Sequence, residues 1–217
     1  LLNAIYRRVA GDSSMSLNIH TALSLTPPKG GAGLEGRFLG PFAARHFGED
    51  FEALDYALAQ KRDALPANIH VEEFYMQSGA LLGSRQAQRS YASLNYTHVA
   101  RAVATRDVNA ITHKVAREPG GSRLSLSSNP DLTFDLLDEI ARLGKARPVM
   151  IAEIDPGLPW IGGSAAVDAD FFDIVIDLPG PAPKLFSPPR QPVSDAEFAS
   201  GLFASTLVKD GGTLQIG

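Results

Sequence analysis

The chain contains no cysteine among its 217 residues, which excludes disulfides, thiolate metal sites and a cysteine nucleophile. It lacks a basic tract, and 20 Lys+Arg against 24 Asp+Glu leave a net charge of -4. A nucleic-acid surface is not expected from that balance. No apolar run approaches the roughly 20 residues of a membrane span, and no signal-peptide pattern opens the sequence. These absences predict a soluble, cytoplasmic protein with neither nucleic acid nor membrane as a partner. What remains is ordinary globular composition, 44% hydrophobic and 20% charged. A chain of this size can bury roughly 70% of the surface its unfolded form exposes, so its core needs no staple.

The hydrophobic spacing places elements along the chain. Leu1, Leu2, Ile5, Tyr6 and Val9 predict an amphipathic helix ending near Gly11-Asp12. Residues 16–25 read as a strand closed by Pro27-Pro28, and 29–36 as a glycine-rich loop. One or two short helices are expected over 37–63, a strand over 68–76, and helix-compatible stretches to Tyr91 and over 98–106. Strands are predicted at 109–116 and 123–127. The hinge Ser128-Asn129-Pro130-Asp131 then leads into the clearest helix, stopped by Gly144. Residues 148–154 and 172–178 are apolar on both faces, as strands of parallel sheets are. Ser194 and Glu197 form a capping box for a last helix, and the chain closes on a turn and a buried strand around Leu214. This alternation over 108–217 predicts an α/β fold with an open, mostly parallel sheet flanked by helices. The abrupt ends, a helix without a lead-in and a strand that feeds nothing, are read as those of a fragment.

Chemistry-bearing motifs are sparse. No Gly-x-Ser-x-Gly elbow occurs. Gly30-Gly31-Ala32-Gly33 follows a strand, but no helix of the right length is expected directly after it, so a surface turn is preferred to a nucleotide loop. The five histidines, His20, His46, His70, His98 and His113, have no metal-ligand spacing. Asp168, Asp170 and Asp173 cluster in sequence, yet helix-start and strand-entry roles account for them, and no metal is assigned. The remaining signal is positional, because ligands of open α/β sheets sit beyond the carboxyl ends of strands. Three such ends are Ser128-Asn129-Pro130-Asp131, Glu153-Ile154-Asp155-Pro156-Gly157-Leu158-Pro159 and Gln215-Ile216-Gly217. Helix capping is the competing reading for Asn129 and Asp131, and a rigid turn for Pro156 and Pro159. Gln215, between apolar Leu214 and Ile216, reads as a polar residue on a buried strand.

From Asn95 onward the sequence resembles the acetyl-CoA hydrolase/transferase family of CoA-transferases. The segments that carry the resemblance are Asn95-Tyr96-Thr97-His98-Val99-Ala100-Arg101, Leu124-Ser125-Leu126-Ser127-Ser128-Asn129-Pro130-Asp131 and the Glu153–Pro159 stretch. Phe186-Ser187-Pro188-Pro189 and Asp210-Gly211-Gly212-Thr213-Leu214-Gln215-Ile216-Gly217 complete it. The resemblance implies that residues 1–217 form one α/β domain, the N-terminal domain of a two-domain protein. It implies transfer of CoA between an acyl-CoA and a small carboxylate, or hydrolysis of the thioester, through a glutamyl-CoA intermediate. The family's glutamate belongs to the second domain, and none of the nine glutamates here sits in a matching motif, so no catalytic residue is assigned. By the same resemblance Thr97, His98, Asn129, Pro130, Asp131, Gln215 and Gly217 would line the substrate and CoA cleft. Coenzyme A would be a substrate, with no tightly bound cofactor, and a homodimer is common for such enzymes. Asn129-Pro130-Asp131 departs from the family's usual Pro-Pro-Asp. Two other readings compete: a non-catalytic domain that binds CoA or a partner, and a sugar-phosphate isomerase, for which Lys29-Gly30-Gly31 is a poor phosphate loop.

Overall fold

The computed structural model describes residues 1–130, 132–180, 184–186 and 192–215. The chain divides into two compact units, Leu1–Leu185 and Phe186–Gly217. In the larger unit, helix α1 (Leu2–Ala10) precedes strand β1 (Leu17–Thr21), and helices α2 (Leu34–Phe47) and α3 (Asp55–Lys61) lead to β2 (Ile69–Glu73). Strands β1 and β2 pair in parallel, Leu17 opposite Ile69 through Thr21 opposite Glu73. Val9, Tyr56, Ala57, Ile69 and Val71 make the core beneath this pair.

Helix α4 (Arg85–Ser90), with Ser84 accepting the Ala87 N–H, and α5 (Val99–Ala104) bring the chain to the second sheet. That sheet has five strands: β3 (Ala110–Arg117), β4 (Leu124–Ser125), β5 (Val149–Ile154), β6 (Ala166–Val167) and β7 (Ile174–Ile176), in the order β6-β4-β3-β5-β7. β3, β5 and β7 run parallel, and β4 and β6 add an antiparallel margin. Helix α6 (Thr133–Arg142) spans the β4–β5 crossover. It sets Phe134 and Leu137 against Val115, Met150 and Phe172, and Leu136 and Ile140 against Val99, Val103 and Ala104 of α5. Gly144, at φ 68, ends it in the left-handed conformation that a residue without Cβ adopts freely. The expected α/β architecture, an open and mostly parallel sheet with flanking helices, is the observed one.

Four expectations are corrected. The strand expected at 123–127 stops at Ser125, because the hydroxyls of Ser125 and Ser127 donate to Ile161 O (2.6 Å) and Pro159 O (2.8 Å). Those bonds, with Ser127 at φ 58, turn the backbone out of the ladder. The run at 172–178 is not buried on both faces: β7 is the sheet edge, and Ile174 and Val175 are exposed. A helix does open directly after the glycine loop, since α2 starts at Leu34 with Gly33 as its N-cap. Finally, Gly211–Gln215 forms no strand, and Leu214 is 61% exposed, so Gln215 is not a polar residue on a buried strand.

The smaller unit carries helix α7 (Asp195–Ser205), whose capping box is formed as expected between Ser194 and Glu197. Its Phe198, Leu202 and Phe203 are exposed. Among the described residues no helix is long and apolar enough to cross a membrane.

Met150, on β5 of the larger sheet, is fully buried. Met150→Ala should lower the unfolding free energy by about 2–5 kcal/mol in urea titrations, because the lost contacts leave a cavity.

Candidate functional site

Of the predicted cleft residues, Thr97, His98, Asn129 and Pro130 lie at the starts of two helices and Gln215 in the smaller unit. Asn95 caps the turn before α5 by accepting from Thr97, both from its N–H (3.1 Å) and from its hydroxyl (2.9 Å). His98 N–H donates to Asn95 O, and both Thr97 and His98 stay exposed. Asn129, also exposed, donates its N–H to Leu126 O, and Pro130 O accepts the Thr133 N–H that opens α6. Leu132 holds the N-cap position of α6, so helix capping does not explain Asn129.

α5 and α6 run in the same direction. Lys145, beyond the end of α6, donates to Ala104 O at the end of α5 (2.8 Å) and pairs with Asp107 (2.7 Å). At the other end Leu132 packs against the cluster that includes Val99. The Thr97-His98 and Asn129-Pro130 turns therefore lie at one end of the helix pair. Gln215 belongs to the smaller unit and is exposed. Asp131 and Gly217 lie outside the described residues.

The exit of β5 is built around a buried carboxylate. Asp155 is 2% exposed, and its N–H continues the ladder to Val115 O (2.9 Å). One carboxylate oxygen accepts from Gly157 N–H (2.9 Å) and the other from Lys114 Nζ (2.7 Å). Leu158 N–H closes the turn onto Asp155 O, which gives Pro156 the rigid-turn role expected for it, whereas Pro159 lies past the turn and its carbonyl accepts from the Ser127 hydroxyl. Because side chains alternate across a strand and Lys114 faces Glu153 in register, Lys114, Glu153 and Asp155 share one face of the sheet. His113, on the opposite face, meets Thr133 of α6 at 2.7 Å. α6 thus covers one face of the sheet, and the Lys114 ammonium with two carboxylates occupies the other.

This arrangement can orient a polar or anionic substrate through exposed hydroxyl, imidazole, amide and ammonium groups. Its hydroxyl–imidazole pair, Thr133 with His113, includes a buried Thr133 and lies beneath α6 rather than among the exposed groups. Among the described residues no group of three or more His, Asp or Glu could hold a metal ion. Asp173 has the strand-entry role: Met150 N–H (2.7 Å) and Arg147 (3.1 Å) bind it and hold its carboxyl below the usual range. The glycine loop is no better as an anion site. Gly31, Gly33 and Gly36 have dinucleotide-loop spacing, but β1 ends ten residues before Gly31. Glu35 moreover accepts the Gly31 N–H at 3.2 Å, placing a carboxylate where a phosphate would sit. Gly30 and Gly36 approach so closely that a Cβ on either would strike backbone.

No protein-family model matches the chain, and no curated protein matches it either. Among solved structures it is similar to RipA from Yersinia pestis, with a TM-score of 0.55 and 18% identity over 98% of this chain and 49% of RipA. A single-residue variant of RipA gives 0.53 and 20% over 100% and 52%. The likeness shows a fold shared with RipA, a mixed α/β arrangement with a five-stranded sheet and flanking helices. A 4-hydroxybutyrate CoA-transferase from Porphyromonas gingivalis aligns over 100% of this chain and 50% of its own, at 18% identity and a TM-score of 0.45. At these identities the likeness to RipA concerns the fold alone, and the chain spans about half of RipA's length.

Sequence reasoning missed Lys114 and His113. The signal for both was the alternation of Thr112-His113-Lys114-Val115, which sends the two cations to opposite faces. Burial in the apolar layer under α6 pushes the His113 imidazole below its ordinary value of 6.5. The unfolded chain therefore takes up a proton first as pH falls, so this contribution to stability is full above 6.5 and lost below it. His113→Gln should flatten that part of the pH–stability curve in urea melts between about pH 7 and pH 5. Lys114→Met should cost about 1–3 kcal/mol, because Asp155 keeps its burial and loses its cation; thermal melts of the single variant against Lys114→Met/Asp155→Asn would show partial recovery.

Proposed function

We propose that this chain supplies the N-terminal part of a CoA-transferase or acyl-CoA hydrolase of the acetyl-CoA hydrolase/transferase kind. The observation that supports the reading is that two segments with the family resemblance, at Thr97-His98 and Asn129-Pro130, precede two helices, α5 and α6, that pack together and run the same way. The substrates would be a short-chain acyl-CoA and a small carboxylate, in a cytoplasmic setting. The nucleophile would be a glutamate outside residues 1–217: its carboxylate attacks the acyl-CoA carbonyl and expels CoA thiolate, leaving an acyl-glutamyl anhydride. The thiolate then attacks the glutamyl carbonyl and releases the acyl carboxylate, leaving a glutamyl-CoA thioester that a second carboxylate or water resolves, so the CoA sulfur must be held beside the glutamate throughout.

Within that scheme the residues of this chain position rather than react. Thr97 keeps acceptor capacity on its hydroxyl after donating to Asn95. Asn129 presents its amide from an exposed turn, and His98 lies at the start of α5. Gln215, Asp131 and Gly217 are carried in the same role by the resemblance.

The test is turnover of acetyl-CoA by a protein extended beyond Gly217 to RipA length. Borohydride reduction in the presence of acetyl-CoA should trap a glutamate outside residues 1–217. Asn129→Ala and Thr97→Ala in that protein should raise KM several-fold more than they lower kcat, as loss of positioning contacts does. Full activity from residues 1–217 alone, or the absence of any trapped glutamate, would reject the proposal.

A further inference from the structure

β2 places a carboxyl where its alternation calls for an apolar side chain. Ile69, Val71 and Glu73 share the buried face, and His70 and Glu72 the other. Glu72 is answered by His20 (2.8 Å) and bidentately by Arg106 (2.8 and 3.1 Å). Among the described residues no such cation pairs with Glu73, which is 2% exposed: Ser24 N–H reaches it at 3.3 Å, and the Ser24 hydroxyl also meets the Tyr56 phenol at 3.0 Å. A buried carboxyl with hydrogen bonds and no cation costs stability, and nothing in the packing of β2 requires it.

Glu73 lines a pocket beyond the carboxyl ends of β1 and β2, between α3 and the turn at 76–81. Its volume is about 40 Å³, enough for roughly three water-sized groups and too small for a nucleotide or a cofactor. Gln60, Gln77 and Lys61 also line it, and the Gln60 amide donates one N–H to Val71 O at 3.5 Å. Ala57 and Leu81 supply an apolar wall.

We propose that this pocket binds a short carboxylate of about two or three carbons, held by a proton shared between its carboxylate and Glu73. A neutral carboxylic acid donating O–H to a carboxylate makes a short, charge-assisted bond, the amides can donate to the free oxygen, and the alkyl end meets Ala57 and Leu81. Lys61 favours an anion over an ammonium. No covalent bond forms or breaks; one proton enters from solvent whenever Glu73 is ionised beforehand. Burial raises the Glu73 carboxyl above the usual range, which extends the neutral form toward neutral pH. Tyr56 of α3 feels the Glu73 charge, Lys61 of α3 lines the same pocket without pairing with Glu73, and Tyr91 is bridged to Glu73 in register; the segments 23–26 and 76–81 bring no titratable group, and His20 of β1 pairs with Glu72 on the other face. Tyr56, itself pushed up by burial, stays a neutral phenol. The inference stands on the pocket alone and survives failure of the transferase reading.

The test titrates the 217-residue chain with sodium acetate and propionate by calorimetry across pH 5 to 8, with methylammonium as the cationic control. Acetate should bind with an affinity that falls about tenfold per pH unit once Glu73 is ionised. Glu73→Gln should bind with that pH dependence removed, and Glu73→Leu should lose binding at least tenfold. Far-UV circular dichroism checks that both variants fold; should Glu73→Leu not fold, the pH profile of Glu73→Gln decides. No acetate binding, binding unchanged in Glu73→Leu, an unaltered pH slope in Glu73→Gln, or preference for methylammonium would each overturn the proposal.

Discussion

Six consecutive residue pairs join β3 to β5, from Ala110 opposite Val149 to Val115 opposite Ile154, and the larger sheet is organised around that ladder. A parallel ladder needs a crossover of a dozen or more residues; here it contains β4 and α6. The crossover lays α6 on the face where Met150, Ala152 and Val115 are fully buried, and α5 fills the remaining side of α6. Because the two helices run the same way, their first turns lie together. The same ladder fixes the other face: with Lys114 opposite Glu153 in register, the ammonium meets Asp155 one residue beyond the end of β5. A slip of one residue would exchange the two faces and bury Lys114 under α6.

The buried acids show how differently one residue type is used. Asp155 is buried with an ammonium and an N–H, an arrangement that fixes a turn. Glu72 is shared by an imidazole and a guanidinium across three elements, and those partners hold its carboxyl below the usual range. Glu73, its neighbour in sequence, faces the core with serine alone for a partner among the described residues. Adjacent positions on a strand thus present one paired carboxylate and one isolated acid, the kind of separation that distinguishes a structural carboxyl from one available to a ligand.

Much of the fold was legible because its signals are local. The 3.6-residue spacing of Phe134, Leu137, Ile140, Ala141 and Leu143 located α6, and Ser194 with Glu197 located the start of α7. The apolar run at 148–154 located β5. What failed depended on tertiary context. No local pattern reveals that Ser125 and Ser127 spend their hydroxyls on the 159–161 segment, or that the equally apolar run at 172–178 forms an edge. Gly30 to Gly36 read as loop because glycine carries weak helix propensity, yet α2 begins inside it. In the site, Thr97, His98, Asn129 and Pro130 were singled out by resemblance, and their adjacency emerged only from the parallel packing of α5 and α6. Glu73 was concealed by a near-identical neighbour, since only register tells which of Glu72 and Glu73 faces inward.

The central proposal puts the ligand side of this α/β unit at the helix starts at 97–98 and 129–130. The most direct measurement is a map of backbone amide shifts in the 217-residue chain as acetyl-CoA is added. The account predicts the largest changes at Thr97, His98 and Asn129, with the β1–β2 pair unmoved by the CoA portion. Changes confined to the glycine loop at 30–36 or to the β7 edge, with Thr97 and Asn129 unaltered, would contradict it.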